Sequence, residues 1–96
     1  MNLLKQSSLL IDIGNTHTHV GWHDGKDWLR IDKFPTEALH KGDFSNLQCS
    51  FSSKAPPLWV AFCSVVPKAS EVIRDYLSNQ HLHLGFTELT HENPIK

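Results

Sequence analysis

An apolar run, Leu9-Leu10-Ile11, delivers a carboxylate at Asp12, then Ile13, the pair Gly14-Asn15 and the hydroxyl of Thr16. A second strand-like run, His17 to His23, follows at once. Gly-Asn between two such runs reads as a two-residue hairpin, because both residues tolerate positive φ. A turn of this kind presents backbone N–H groups together, and a concavity of N–H groups suits phosphate oxygens. The N–H groups of Gly14 to Thr16 and the Thr16 hydroxyl are the donors on offer. Asp12, at the end of the buried strand, would sit beside them and could hold a Mg²⁺ that bridges phosphates. The chemistry is nucleotide phosphate binding on a β-hairpin. Most short Gly-Asn hairpins bind nothing, so the surrounding elements have to be weighed.

Three antiparallel strands come first: Ser8–Ile13, His17–His23 and Lys26–Lys33, the last two joined by a second hairpin signal, Asp24-Gly25. Thr36 is placed to cap a weak helix through Glu37-Ala38-Leu39, which Gly42 cuts short. Residues Asn46 to Pro57 are Ser-rich, end in Ala-Pro-Pro and read as a loop. Leu58-Trp59-Val60-Ala61-Phe62-Cys63 is apolar without alternation, as expected of a strand covered on both faces. Pro67 opens a helix whose Ala69, Val72, Ile73, Tyr76 and Leu77 share one face. Leu82–Leu89 is a last strand. The expected architecture is α/β: a three-stranded antiparallel meander continued by strand–helix crossovers into a mixed sheet.

Ninety-six residues make one domain or part of one. A net charge of −1 with interspersed signs gives no basic stripe for nucleic acid and no charged tail. No apolar run reaches membrane-spanning length, and the N-terminus makes a poor signal peptide. Cys49 and Cys63 are far apart and not in a metal-like spacing, so a reduced, cytoplasmic chain with free thiols is expected. No Gly-x-x-x-x-Gly-Lys-Ser/Thr occurs, which excludes a P-loop.

The Asp12-Ile13-Gly14-Asn15-Thr16 segment resembles the first phosphate motif of the superfamily of acetate and sugar kinases, actin and heat-shock ATPases. Members share a ribonuclease-H-like domain with this order of elements. Cys63-Ser64-Val65-Val66-Pro67, after the buried strand and before a helix, resembles the Ser-Val-Val-Pro motif of type III pantothenate kinases, with Cys63 in place of the usual Ser. The pair of motifs and the elements between them are similar to the N-terminal portion of that family.

The resemblance implies a ribonuclease-H-like half-domain and ATP-dependent phosphorylation of pantothenate, the first step toward coenzyme A. It also implies Mg²⁺, a monovalent cation (K⁺ or NH₄⁺) and a homodimer. Asp12, Ile13, Gly14, Asn15, Thr16, His17, Thr18 and His19 would contact the ATP phosphates, with Asp12 nearest the metal. The family's Gly-x-Asp-Arg motif, which carries the catalytic base and pantothenate contacts, does not occur here. Residues 1–96 are therefore expected to form an incomplete half-domain, without the second domain and inactive alone, and no catalytic residue can be named.

Two other readings compete. His17, His19 and His23 have one parity on a strand and could share a face. His-x-His after a strand is similar to the ligand pair of metal-dependent hydrolases, but those need a whole (β/α)₈ barrel, which this length excludes. Solvent-facing residues of a sheet edge are the plainer account. The chain could also be a single-domain binding module without catalysis.

Overall fold

The computed structural model describes residues 7–52, 57–80 and 85–89. Five strands form one mixed sheet: β1 (Ser8–Ile13), β2 (His17–His23), β3 (Trp28–Pro35), β4 (Trp59–Ser64) and β5 (Phe86–Leu89), in the spatial order β3-β2-β1-β4-β5. The first three are antiparallel, whereas β4 runs parallel to β1 and β5 parallel to β4. The meander and its crossover continuation are those expected. Three helices accompany the sheet: α1 (Glu37–His40), α2 (Ser45–Phe51) and α3 (Pro67–Ser78).

Strand alternation decides which side chains meet the helices. Leu9, Ile11 and Ile13 of β1, Val20 of β2, Phe34 of β3 and Val60 and Phe62 of β4 form one cluster with Leu39, Leu47, Ala69, Ile73 and Leu77 from the helices. Each of these except Ala69 contributes on the order of 1.5–3 kcal/mol by leaving water. The opposite parity, Leu10, Asp12, His19, Gly21 and Cys63 among others, lies on the other face and lines a trough of about 360 Å³. The β4 strand is internal as expected, but among the described residues the helices cover only the first face.

Several boundaries shift for local reasons. The turn before β3 extends to Asp27, because Oδ1 of Asp24 accepts the N–H groups of Lys26 at 2.8 Å and Asp27 at 2.7 Å. The strand therefore begins at Trp28, two residues later than expected, and runs on to Pro35. Pro35 is tolerated because its missing donor faces the open edge, while the next N–H, that of Thr36, reaches Thr16 O at 2.9 Å. The expected 46–57 loop contains α2, which starts where Asp43 takes the N–H and hydroxyl of Ser45 and is anchored by buried Leu47. Phe44 stacks on Tyr76 at 4.1 Å, fixing α2 against α3. The β5 strand begins at Phe86; residues 82–84 of the expected strand lie outside the described residues.

Pro67 does open α3, with Val66 extended at the cap. Ala69, Ile73 and Leu77 are buried, and Val72 and Tyr76 are half-buried beside them. Thr36 precedes α1 as expected, but its φ of −60° and ψ of −27° are helical and its side chain makes no capping bond. That hydroxyl is used elsewhere.

Candidate phosphate-binding hairpin

The β1–β2 connection carries the residues singled out for chemistry. Gly14 N–H donates to His17 O at 3.0 Å, which centres the turn on Asn15-Thr16 rather than on Gly14-Asn15. Gly14, Asn15 and Thr16 all have negative φ, so this is not the mirror-image turn expected of Gly-Asn. Gly14 is needed for another reason: a Cβ there would lie 3.1 Å from His17 O. The bond also removes the Gly14 N–H from the expected donors. Among the described residues no partner is found for the N–H groups of Asn15 and Thr16, and both residues are exposed, as is His17.

Asp12, the last but one residue of β1, lies exposed on the open face, opposite His19 on β2 and Cys63 on β4. The Cys63 thiol donates to Asp12 Oδ1 at 3.3 Å. Burial, and then the hydrogen bond and charge of Asp12, push the Cys63 thiol above its ordinary range, so it stays protonated and remains a donor at neutral pH. Among the described residues no hydrogen bond engages the second carboxylate oxygen of Asp12. A single hard carboxylate suits Mg²⁺, which usually takes one or two carboxylates and completes its shell with water and phosphate oxygens.

Ile13 and Thr18 point the other way, into the helix-covered core, with no exposure. Any contact they make with a ligand is through the backbone. His17 and His19 are exposed, and His23 is half-buried, accepting the Gly25 N–H on Nδ1 and meeting the Trp28 ring edge. The three share the expected parity, yet among the described residues no three His, Cys, Asp or Glu side chains come together to hold a metal.

The second motif lies against the first. Asp12 pairs with Cys63 and Ile13 with Ser64 across parallel strands, and Val65 N–H donates to Ile13 O at 3.1 Å. Ser64 Oγ then accepts the Val66 N–H at 3.0 Å, turning the chain into Pro67 and α3. Two segments read separately in the sequence lie side by side at the carboxyl ends of two adjacent parallel strands.

A family model of type III pantothenate kinases matches residues 8–92, from the first residue of β1 to beyond the end of β5. The chain belongs to the type III pantothenate kinase family. No curated protein matches it closely enough to count as a relative. The family places this chain among the kinases and phosphotransferases of pantothenate metabolism and, with the mixed sheet, fits the ribonuclease-H-like half-domain. No described helix is long and apolar enough to cross a membrane.

One residue of this site was not legible beforehand. Thr36, read as a helix cap, is buried beside the hairpin and donates its hydroxyl to Gly14 O at 2.8 Å. Nothing in its sequence neighbourhood distinguishes that use from capping.

Proposed function

We propose that the Asp12–His19 hairpin holds the phosphates of ATP for phosphorylation of pantothenate, the reaction from which the family takes its name. The observation that carries this reading is the pairing of an Asp12 carboxylate oxygen with a turn of exposed residues whose Asn15 and Thr16 N–H groups, among the described residues, have no partner. Phosphoryl transfer is mostly positioning and charge neutralisation, and these groups supply both. The Asn15 and Thr16 N–H groups and the Thr16 hydroxyl orient phosphate oxygens. The Asp12 carboxylate, with Cys63 fixing Oδ1, holds its other oxygen toward a divalent ion. When bound, Mg²⁺ supplies charge neutralisation at the phosphates. The turn carbonyls of Gly14 and Thr16 face Thr36, and K⁺ or NH₄⁺ enters this proposal only through the family.

A general base for the pantothenate hydroxyl belongs to a Gly-x-Asp-Arg motif that these 96 residues lack. The reading is therefore of a half-domain that binds nucleotide weakly and does not turn over alone, because half a cleft neither excludes water nor supplies a base. A homodimer and a cytoplasmic setting complete the proposal. Calorimetric titration of the chain with a non-hydrolysable ATP analogue, with and without Mg²⁺, tests it beside a pantothenate phosphorylation assay. Weak binding that needs Mg²⁺, with no turnover, is the expected result. Binding indifferent to Mg²⁺ and to Asp12→Asn sinks the assignment.

A further inference from the structure

Thr18 and Thr36 face each other in the core with their hydroxyl oxygens 2.9 Å apart and essentially no exposure. The Thr36 hydroxyl has one proton, and Gly14 O takes it at 2.8 Å. Thr18 must then be the donor to Thr36, so the chain of bonds runs from Thr18 to Thr36 to Gly14, each polarising the next. Thr36 grips the hairpin a second time through its backbone N–H, which donates to Thr16 O at 2.9 Å.

Both contacts act on peptide planes. In a trans peptide the C=O and the following N–H point in opposite directions. Drawing Gly14 O toward Thr36 therefore turns the Asn15 N–H away from the core. Drawing Thr16 O toward Thr36 fixes the Thr16–His17 peptide plane and with it the far side of the turn. Two valines would fill this space without any polar atom to satisfy, and an unpaired buried hydroxyl is costly. The hydroxyl pair has no further partner among the described residues, so its effect falls on the turn.

We infer that Thr36 is a positioning residue for the phosphate hairpin, holding the Gly14 carbonyl inward so that the Asn15 N–H stays aimed at phosphate. This rests on the reading of the hairpin as a phosphate site. Neither motif contains Thr36, which lies 22 residues from Gly14.

The test uses three variants of the full chain. Thr36→Val removes the proton donor and keeps the shape, Thr36→Ser keeps the donor, and Thr18→Val leaves the Thr36-to-Gly14 bond in place. Amide hydrogen exchange reads the clamp through the turn it holds, because the Gly14 N–H bonds to His17 O across that turn. Without the Thr36 hydroxyl the turn opens more readily, so Thr36→Val should speed exchange at Gly14 by roughly tenfold, the worth of the lost hydrogen bond, with Ile11 unchanged and Thr36→Ser and Thr18→Val close to wild type. Titration with Mg²⁺ and a non-hydrolysable ATP analogue reads the consequence: about five- to tenfold weaker binding in Thr36→Val, with Thr36→Ser near wild type. Unchanged Gly14 exchange in Thr36→Val overturns the clamp, as does an equal loss of binding in Thr36→Ser. If the wild-type chain binds no analogue while exchange responds as expected, the phosphate reading fails and the clamp is a structural device only. Should Thr36→Val fold poorly, Thr36→Ala replaces it under the same criteria.

Discussion

The Cys63 thiol lies 3.3 Å from Oδ1 of Asp12, although 51 residues separate the two in the chain. Parallel pairing of β1 and β4 places them side by side at the strand ends. Ligands of open α/β sheets collect at the carboxyl ends of parallel strands, where side chains and connecting turns are free of the ladder. This contact therefore fixes one oxygen of the carboxylate proposed to face the nucleotide.

Asp12→Asn should leave the fold intact, because the side chains are nearly isosteric and position 12 is exposed. The Mg²⁺-dependent part of nucleotide-analogue binding should disappear. The same change removes a charge that helps raise the Cys63 thiol pKa, so alkylation of Cys63 near pH 8 should quicken. Peptide mapping separates Cys63 from exposed Cys49. Unchanged Cys63 alkylation would show that the contact does not persist in solution.

Gly14→Ala should destabilise by about 1 kcal/mol, since the new Cβ meets His17 O at 3.1 Å and the carbonyl must give way. Gly14→Val should cost more and reduce analogue binding as well. Urea denaturation reads the first effect. A midpoint for Gly14→Ala equal to wild type would mean that the turn yields freely.

Phe62→Ala should cost about 3–5 kcal/mol, because Phe62 is fully buried at the centre of the cluster between sheet and helices. A domain of this size has marginal stability, so the variant should be largely unfolded by circular dichroism. Retained cooperative melting near the wild-type temperature would contradict the core described above.

Acid should loosen the β2–β3 turn before the sheet. The backbone N–H groups of Asp27 and Lys26 hold the Asp24 carboxyl below the ordinary carboxylate range. A depressed folded-state pKa means stabilisation that is present above the unfolded value and lost as pH falls through the folded one. Exchange at the Lys26 and Asp27 amides should therefore accelerate as pH drops below the ordinary carboxylate range, after correction for intrinsic rates. Asp24→Asn should flatten that dependence. An identical profile in the variant would rule out Asp24 as the cause.

The sequence by itself determined the elements whose signals are local. Alternation and apolar runs marked β1, β2 and β4, Pro67 marked the start of α3, and Gly42, at φ +75°, ended α1. The two motifs were enough to point to the family. The α2 helix escaped because its stability comes from Leu47 in the core and from Phe44 on Tyr76, contacts with residues remote in the chain. The turn also departs from the local preference of Gly-Asn: Gly14, Asn15 and Thr16 have negative φ, and Thr36 grips the carbonyls of Gly14 and Thr16. The meeting of Asp12 with Cys63, and of Thr36 with Gly14, was decided only when parallel pairing and core packing brought distant segments together. Periodicity records which face a residue takes, while partners across a sheet depend on strand order, and strand order is settled by how the whole core closes.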